Sequence, residues 1–375
     1  MPFTATDHAM MARALRLAKR GLYTTQPNPR VGCVLVREGV IVGEGHHQYA
    51  GGPHAEINAL VAAGDAARGA TAYVTLEPCS HTGKTGPCTR SLIQARVARV
   101  VVAMEDPNPL VSGRGIRQLR DQGIAVDCGL LEAEARALNP GFIKRMTVGR
   151  PWVRVKMAMS LDGRTAMASG ESMWITGPAA REDVQRLRAR SGAIMTGIGT
   201  VLADNPSMNL RISPAVLGSA LPPSQPLRVI LDSDLRTPPD ANILRVEGRV
   251  LIIHDCDDAR RQQTLIARGA ALVRIPRQHE HDRLDLPLVL KVLAEHEVNE
   301  CHVEAGATLA GALLEQSLVD ELIVYMAPHL MGDQGRGLAT LPGISTMNER
   351  IALQIREIMP VGQDWRITAR PACQP

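Results

Sequence analysis

Gly52-Pro-His-Ala-Glu56 and Thr75-Leu-Glu-Pro-Cys-Ser-His-Thr-Gly-Lys-Thr-Gly-Pro-Cys88 are the two stretches around which the rest of the sequence is organised. They supply one imidazole, His54, and two thiols, Cys79 and Cys88. One His and two Cys can bind Zn²⁺ and leave the fourth tetrahedral position for a water molecule, whose pKa then falls to about 7. Glu56 follows the His closely enough to carry protons without binding the metal. The two stretches therefore predict a catalytic zinc centre.

The order H-x-E, then P-C, then C, is typical of zinc-dependent deaminases that act on nucleobase-like rings. A structural zinc site is the alternative, and it normally uses four protein ligands in closely spaced Cys pairs. The two thiols here are more widely spaced, and His81 is a possible fourth ligand. A structural site gives no role to Glu56, so the pattern favours a hydrolytic deaminase.

Length and composition narrow the class of protein. A chain of 375 residues predicts two domains. Aromatic residues make up only 2% of the chain, which argues against a stacking platform for single-stranded nucleic acid. A net charge of +4 is also too small to imply a nucleic-acid partner. We expect a small-molecule partner, no nucleic acid, and a homo-oligomeric assembly.

The cysteines and the N-terminus predict a cytoplasmic protein. Seven cysteines, an odd number spread through a long chain, fit reduced thiols better than a disulfide framework. The first residues carry neither a basic nor an apolar signal region. No run of about 18 apolar residues that could span a bilayer is present, so no membrane partner is expected.

Hydrophobic periodicity predicts an α/β fold for the first half. A first helix is expected after an N-cap at Asp7, and a β-hairpin over 31–36 and 40–45. A helix over 54–63 places His54 and Glu56 in its first turn. Strand and helix then alternate over 71–128, which predicts a largely parallel sheet covered on both faces. Ligands bind such sheets at the carboxyl ends of strands, and Cys79 follows a predicted strand end.

A linker is expected at 140–150, with the domains dividing into 1–146 and 147–375. The second half is again α/β, with an antiparallel edge over 350–358 and 364–368 and a surface insertion at 212–226. It has no G-x-G-x-x-G fingerprint after a strand. Glycine-containing turns at 196–200 and 304–311 could approach phosphates or could be ordinary α/β turns.

Beyond these patterns, the sequence resembles the bifunctional riboflavin-biosynthesis deaminase–reductases along nearly its whole length. The zinc half-motif P-C-S-H-x-G-x-T-x-P-C is much more specific than a generic deaminase P-C-x-x-C. The other matching stretches are Asn28-Pro-Arg-Val-Gly-Cys33, Asp106-Pro-Asn-Pro109, Lys156-Met-Ala-Met-Ser-Leu-Asp-Gly163, Ser169-Gly-Glu-Ser172, Trp174-Ile-Thr176, Val201-Leu-Ala-Asp204, Val303-Glu-Ala-Gly306 and Leu309-Ala-Gly-Ala-Leu-Leu314.

The resemblance implies a cytidine-deaminase-like three-layer α/β/α domain followed by a dihydrofolate-reductase-like α/β domain. The first would hydrolyse the 2-amino group of 2,5-diamino-6-(5-phosphoribosylamino)pyrimidin-4(3H)-one, using one Zn²⁺ per chain. The second would use NADPH to deliver hydride to C1′ of the opened ribosyl group, giving a ribitylamino product. NADPH over NADH rests on the resemblance, because no 2′-phosphate pocket is evident from spacing.

The resemblance also assigns residues. His54, Cys79 and Cys88 match the zinc ligands, and Glu56 matches the proton shuttle. Substrate contacts of the deaminase are implied at Asn28, His47, Lys84, Asp106 and Asn108. NADPH contacts are implied at Ala158, Trp174, Thr200, Asp204, Ser233, Gly306, Ala307, Thr308, Leu309, Ala310, Gly311 and Ala312. Substrate contacts of the reductase are implied at Lys156, Ser172, Arg188, Met208, Arg211 and Glu304. The sequence departs from the family at Gly86, where Pro is frequent, and the 212–226 insertion blurs the alignment toward Ser233.

Two rival hypotheses remain. One is a nucleic-acid or nucleoside deaminase with an inert second domain, which predicts a basic stripe and stacking aromatics. The other is a zinc-stabilised binding module without catalysis, which needs a fourth protein ligand.

Overall fold

The computed structural model describes residues 3–80, 86–109, 111–278 and 283–372. The chain divides into two compact units: unit 1 comprises Met1–Gly149 with Gly218–Pro223, and unit 2 comprises Arg150–Leu217 with Ser224–Pro375. In the described part of the chain, no helix is both long enough and apolar enough to cross a membrane.

Unit 1 alternates helices and strands in the predicted manner. Its described elements are α1 (Ala5–Lys19), β1 (Gly32–Arg37), β2 (Val40–His46), α2 (Ala55–Ala63), β3 (Thr71–Val74), α3 (Cys88–Gln94), β4 (Arg99–Val102), α4 (Arg114–Asp121), β5 (Ala125–Cys128), α5 (Glu132–Leu138) and α6 (Pro140–Val148). The strands form one sheet in the order β2-β1-β3-β4-β5. The predicted hairpin is confirmed as β1 and β2, and β3, β4 and β5 run parallel.

Helices cover both faces of this sheet, which gives three layers. Along β1, Val34 and Val36 pack in a core with residues of α1 and α5, whereas Cys33 and Leu35 pack with residues of α2, α3 and α4. This alternation follows from the two-residue period of a strand. The predicted α/β/α architecture is confirmed.

Glycines let the helices approach the hairpin closely. A Cβ on Gly45 would lie 2.4 Å from the Ala55 carbonyl oxygen and 2.5 Å from the Ala59 nitrogen, both in α2. A Cβ on Gly43 would meet the Ala59 carbonyl at 2.3 Å. Any side chain larger than hydrogen at Gly43 or Gly45 would push α2 away from the sheet. Helix α2 carries the predicted catalytic Glu56.

The cap of α1 differs from the sequence-based prediction. Thr4, not Asp7, is the N-cap, and Asp7 completes a capping box by accepting from the Thr4 backbone N–H. Asp7 is buried and also accepts from Tyr73 Oη at 2.8 Å and from Arg99 Nη1 at 2.7 Å. Burial alone would raise the pKa of Asp7, but the hydrogen bonds from Arg99, Thr4 and Tyr73 outweigh it and hold the pKa well below its ordinary value.

Most of the stretch expected as a linker, 140–150, is helical, because residues 140–148 form helix α6. Pro140 occupies the first turn, where its missing N–H costs nothing. The preceding residue, Asn139, bonds the backbone of Arg30 through both its amide oxygen and its amide nitrogen. The expected division after residue 146 thus falls inside α6, three residues before the division after Gly149.

Unit 2 is built on a larger sheet. Its described elements are β6 (Trp152–Ser160), β7 (Arg164–Ala166), α7 (Pro178–Ala189), β8 (Ala193–Gly197), α8 (Ile198–Asp204), α9 (Pro214–Leu217), β9 (Leu227–Leu231), α10 (Asn242–Arg245), β10 (Val250–His254), α11 (Ala259–Ile266), β11 (Ala270–Arg274), β12 (Arg277–Gln278), β13 (Arg283–Leu284), α12 (Leu286–Glu295), β14 (Glu300–Glu304), α13 (Ala307–Glu315), β15 (Glu321–Ala327), β16 (Arg336–Gly337), β17 (Leu353–Val361) and β18 (Asp364–Pro371).

The large sheet has the order β11-β10-β9-β8-β14-β6-β15-β18-β17. It is parallel from β11 to β15, and β18 and β17 add an antiparallel edge. The predicted edge at 350–358 and 364–368 is therefore confirmed. The turn expected at 196–200 is instead the end of β8 and the start of α8.

The carboxyl ends of β9, β8, β14 and β6 lie side by side in that order, and they position the second candidate site. The 212–226 segment is mostly exposed, as expected of an insertion, and includes the short helix α9.

Candidate functional site

The predicted zinc ligands lie together in unit 1. The ligand atoms of His54, Cys79 and Cys88 are all within 4.8 Å of one another. His54 Nδ1 is 3.2 Å from Cys88 Sγ and 3.5 Å from Cys79 Sγ. Tetrahedral zinc with ordinary bond lengths requires N···S separations of about 3.6 Å, so the three side chains fit the ion. His81, the possible fourth ligand, lies outside the described residues.

Two of the three predicted ligands lie at the starts of helices. His54 is the N-cap of α2 with extended backbone, and its side chain makes no capping bond, so the ring is available to the site. Cys88 is the first residue of α3, and its backbone N–H points to Cys79 Sγ at 3.4 Å. The hydrogen bond from the Cys88 thiol holds the pKa of Cys79 below its ordinary value. A thiolate is the form of Cys that binds a metal.

Glu56 lies in the first turn of α2 beside these ligands and is only 3% exposed. Burial raises the pKa of its carboxyl to about 7. A carboxyl with such a pKa both accepts and releases protons near neutral pH, which suits general acid–base catalysis.

Asn28 and His47, two predicted substrate contacts, form a hydrogen-bonded pair next to the zinc ligands. His47 Nδ1 lies 3.0 Å from the Pro53 carbonyl oxygen, which can only accept, so Nδ1 carries the proton. His47 Nε2 then accepts from the Asn28 side-chain amide at 3.0 Å. The His47 ring meets the His54 ring edge-on at 5.6 Å. Burial lowers the pKa of His47, so the ring is neutral at this site.

Asp106 and Asn108 lie on the loop after β4, and Glu77 holds that loop. One oxygen of the buried Glu77 carboxylate accepts from the backbone N–H groups of Asp106 at 3.0 Å and Gly113 at 2.9 Å. The other accepts from Gly115 at 2.8 Å and Ile116 at 3.2 Å, in the first turn of α4.

Glu77 received no role from the sequence, although it stands two residues before Cys79. Its partners are far away in the chain, so no local pattern signals them. Lys84, the remaining predicted contact of this site, lies outside the described residues.

A cavity of about 1390 Å³ opens at the carboxyl ends of the parallel strands of unit 2. Most of the predicted reductase residues line it, namely Lys156, Ala158, Ser172, Thr200, Asp204, Ser233, Glu304, Gly306, Ala307, Thr308, Leu309 and Ala312. Gly306 precedes the nine-residue helix α13, and no atom lies within 4 Å of where its Cβ would be. The backbone there leaves room for a phosphate at a helix N-terminus, so this wall fits a dinucleotide.

The remaining predicted residues lie outside that lining. Ala310 is fully buried, and a Cβ on Gly311 would lie 1.9 Å from the Thr340 carbonyl oxygen, so both serve the packing of α13. Met208 belongs to a hydrophobic core, and Arg211 is exposed. Trp174 is 70% exposed and stacks under Arg181 at 4.6 Å.

Arg188 is buried behind the cavity wall and pairs with Glu304. Its Nε and Nη2 donate to the two Glu304 oxygens at 2.6 and 2.9 Å, and Nη1 donates to the Asn209 carbonyl at 3.0 Å. His302, which the sequence reasoning missed, is fully buried on the same strand, with Nε2 3.2 Å from Glu304 Oε1. Burial opposes ionisation of Glu304, but Arg188 outweighs it and lowers the pKa, so Glu304 faces the cavity as a carboxylate.

Lys156 lies beside this pair, because the register of β14 and β6 places it directly opposite Glu304 on the neighbouring strand. Its Nζ also lies 5.9 Å from the centre of the Tyr325 ring. Burial lowers the pKa of Lys156, which makes the ammonium a readier proton donor.

Comparison with known families matches both halves. Residues 4–104 match the cytidine and deoxycytidylate deaminase zinc-binding region, and residues 151–367 match the RibD C-terminal domain. The chain is 51% identical to the riboflavin biosynthesis protein RibD of Escherichia coli K12 over 363 residues, covering 96% of this chain and 97% of the relative.

Solved structures show the same similarity over nearly the whole chain. Acinetobacter baumannii RibD superposes with a TM-score of 0.91 at 44% identity, covering 98% of this chain and 99% of that one. A diaminohydroxyphosphoribosylaminopyrimidine deaminase/5-amino-6-(5-phosphoribosylamino)uracil reductase from Thermotoga maritima superposes with a TM-score of 0.83 at 31% identity, with the same coverage.

Proposed function

The chain belongs to the RibD family of riboflavin-biosynthesis proteins, and we propose that its two halves carry out the deamination and the reduction for which the Thermotoga maritima relative is named. The first half hydrolyses the 2-amino group of 2,5-diamino-6-(5-phosphoribosylamino)pyrimidin-4(3H)-one and releases ammonia. The second half reduces the ribosyl group of the product with NADPH and leaves a ribitylamino side chain. The chain is thus both a hydrolase and an oxidoreductase.

His54, Cys79 and Cys88 are the residues that would hold zinc. When bound, the ion supplies a Lewis acid that makes water a nucleophile near neutral pH. Glu56 takes a proton from that water at its carboxylate and delivers it to the departing amino nitrogen. Its pKa of about 7 allows both transfers without a large energetic penalty.

The neighbouring polar groups orient the ring. Asn28 is fixed by its bond to the neutral His47, so its remaining amide groups can meet the pyrimidine edge. Asp106 and Asn108 approach on the loop that Glu77 holds. Asp106 Oδ1 accepts the Asn108 backbone N–H at 2.8 Å, which keeps the two side chains in a fixed relation. Lys84 completes the proposed set.

In unit 2 the substrate end of the cavity is proposed at Lys156, Ser172 and Glu304. NADPH supplies a hydride when bound, and the proposed cofactor wall runs from Ala158 through Thr200 and Asp204 to the turn at Gly306. Lys156 donates a proton from Nζ to the ribosyl oxygen. Glu304, held by Arg188, accepts hydrogen bonds from sugar hydroxyls. Arg188 therefore positions Glu304.

The convergence of His54, Cys79 and Cys88 beside a buried carboxyl is the observation that carries the proposal. It also separates the proposal from the rivals. A structural zinc module would not place a proton-exchanging Glu56 at the ion, and an inert second domain would not present Lys156 and Glu304 in a cavity of this size.

The test is an assay of the purified protein on the diamino-pyrimidine phosphate, with and without NADPH. We expect ammonia release in both conditions and a second product only with NADPH. Glu56→Gln should keep one zinc per chain, lose deamination, and still reduce the separately supplied deaminated intermediate. Lys156→Ala should still release ammonia by deamination and should lose the NADPH-dependent reduction. Deamination at the wild-type rate by Glu56→Gln would refute the role of Glu56, and loss of both activities in either variant would refute separable sites.

We also propose that the protein works in the cytoplasm as a homo-oligomer, with a deaminase domain at 1–146 and a reductase domain at 147–375. Thiol ligands in an otherwise reduced cysteine set favour the cytoplasm. The edge strand β17 exposes Leu353, Ile355 and Ile358, a surface that a second copy could cover. Light scattering of the full chain measures the molar mass in solution. A monomer at micromolar concentration would contradict the proposed homo-oligomer.

A further inference from the structure

Tyr325 is a fully buried side chain of unit 2 to which the proposed reaction gives no role. It lies on β15, which runs parallel to β6, and the register places Ile323 opposite Lys156 and Tyr325 opposite Ala158. Residues two apart on a strand share a face, so Tyr325 and Lys156 lie on the same face of the sheet. Lys156 Nζ lies over the Tyr325 ring, 5.9 Å from its centre. A ring face attracts a cation at this distance.

A carboxylate and a guanidinium hold the Tyr325 ring in this orientation. The Tyr325 hydroxyl donates to Asp183 Oδ2 at 2.6 Å, and the same oxygen accepts from Arg366 Nη1 at 2.8 Å. Arg366 is directly opposite Tyr325 on β18, and its Nη2 donates to Glu357 Oε2 on β17 at 2.8 Å. Burial and the Asp183 carboxylate raise the pKa of the Tyr325 phenol, so the hydroxyl remains a donor. The ring is therefore fixed by contacts within the protein.

Helix α7 packs against the same ring. Ala180, Val184 and Leu187 form one hydrophobic cluster with Ile323 and Tyr325. Apolar neighbours keep water away from the ring, and desolvation strengthens the attraction between a ring face and a cation.

Lys156 has charged neighbours of both signs. Glu304 lies directly opposite it on β14, and Arg188 of α7 pairs with Glu304. His302 and Arg154 occupy the next positions on the same face, two residues nearer the amino ends of β14 and β6. Burial lowers the pKa of Lys156; Glu304 opposes this effect, and Arg188 adds to it. The Glu304 carboxylate is already shared with Arg188, so the ammonium benefits from a further group that favours its charge.

We propose that Tyr325 is a positioning residue of the reductase, whose ring holds the Lys156 ammonium in place at the cavity. The inference rests on the proposed reductase function, in which Lys156 donates a proton to the ribosyl oxygen. A ring attracts the ammonium through its negative face but, unlike a carboxylate, does not take up the proton. Asp183, the charged group at the hydroxyl end of the ring, is already paired with Arg366. Tyr325 therefore stabilises the ammonium without removing the proton that the reaction needs.

Direct titration of Lys156 tests the inference without turnover. Few NMR signals arise from ¹³C-labelled lysine, because the lysines of the chain are Lys19, Lys84, Lys144, Lys156 and Lys291. The signal lost in Lys156→Ala identifies the relevant one. Tyr325→Phe keeps the ring, and fluorinated phenylalanines at the same position weaken its negative face with little change of shape. We expect the Lys156 pKa to stay within about 0.3 of the wild-type value in Tyr325→Phe and to fall by about 0.5 to 1 with a trifluorinated ring.

The pH profile of reduction is the second readout. Reduction requires protonated Lys156, so the rate falls as the pH rises through the Lys156 pKa, and this alkaline limb should move to lower pH as fluorines are added. Tyr325→Leu removes the ring and should move the limb in the same direction. Its kcat should fall about tenfold or more because the ammonium loses its position, with KM for NADPH unchanged. A merely structural Tyr325 would lower stability and leave the limb where it is.

Ile323→Val is the matched control. Ile323 is buried on the same strand directly opposite Lys156, and its shortening loosens the packing without removing a ring. The Lys156 pKa and the alkaline limb should both keep their wild-type positions in this variant. Equal Lys156 pKa values in Tyr325→Phe and its trifluorinated counterpart would overturn the proposal, and so would a wild-type alkaline limb in Tyr325→Leu. A wild-type protein that fails to reduce the deaminated intermediate refutes the reductase function instead, and the NMR titration still decides whether the ring holds the ammonium.

Discussion

Replacing Glu77 by Gln tests whether one buried carboxylate holds the loop that carries Asp106 and Asn108, the proposed substrate contacts of the deaminase. The native carboxylate accepts four backbone N–H groups, two on each oxygen. Gln keeps one oxygen and turns the other into a donor, so two backbone N–H groups lose their acceptor. Each buried donor left unpaired costs about 1–3 kcal/mol, which gives about 2–6 kcal/mol for the pair. The side-chain volume hardly changes, so little of this cost comes from packing.

Hydrogen exchange at the amides of Asp106, Gly113, Gly115 and Ile116 measures the effect locally. A loss of 2–6 kcal/mol corresponds to about 30-fold or greater acceleration of exchange at two of them, if they open with the loop. We expect zinc stoichiometry and reductase turnover to stay unchanged, and KM for deamination to rise because Asp106 no longer holds its place.

Glu132→Gln is the control for this experiment. Glu132 is an exposed carboxylate of the same unit, paired with Arg136 one helical turn away, and its neutralisation should cost no more than about 0.5 kcal/mol. Unchanged exchange at all four amides in Glu77→Gln, together with wild-type KM, would refute the idea that Glu77 holds the loop.

Three further predictions concern unit 1. Gly45→Ala places a Cβ 2.4 Å from the Ala55 carbonyl oxygen, so α2 must shift. Because α2 begins at His54, zinc affinity should then fall at least about tenfold. Wild-type affinity in a zinc competition titration would contradict the packing argument. Removing zinc with a chelator should abolish deamination and leave NADPH oxidation intact, and re-addition of zinc should restore it; loss of NADPH oxidation as well would contradict separate sites. Because folding lowers the pKa of Asp7, its contribution to stability is present above the unfolded value of about 3.9 and is lost as the pH falls below it. Asp7→Asn should therefore destabilise unit 1 by about 2 kcal/mol at neutral pH and flatten its acid unfolding between about pH 4 and pH 2, measured by chemical denaturation; parallel pH profiles would contradict the pairing with Arg99.

The periodic parts of the chain were predictable from sequence. The hairpin of β1 and β2 and the antiparallel edge of β17 and β18 were expected to within a few residues. These elements can be predicted from local sequence, because a two-residue hydrophobic period and turn residues mark them. The convergence of His54, Cys79 and Cys88 was equally predictable, since coordination chemistry limits which residue types can bind zinc.

Other features depend on contacts that are distant in the chain. The basic stretch at 140–148 lacks a clear apolar period, and its helix is fixed partly by the bonds between Asn139 and Arg30. The pairing of Arg188 with Glu304 spans most of unit 2, so the sequence offered both as independent substrate contacts. Gly311 matched a family cofactor motif, yet its missing side chain makes room for the Thr340 carbonyl.

The position of β6 has a consequence for the order in which the protein folds during synthesis. β6 is the first strand of unit 2, yet it pairs with β14 and β15, which are synthesised much later. In unit 1, by contrast, strands that are neighbours in the sheet are close along the chain. Unit 1 can therefore form its sheet while unit 2 still lacks both partners of its first strand. Non-local pairing of this kind slows folding, so the nascent β6 passes through a period with two open edges. Chaperone dependence should accordingly fall on the reductase half.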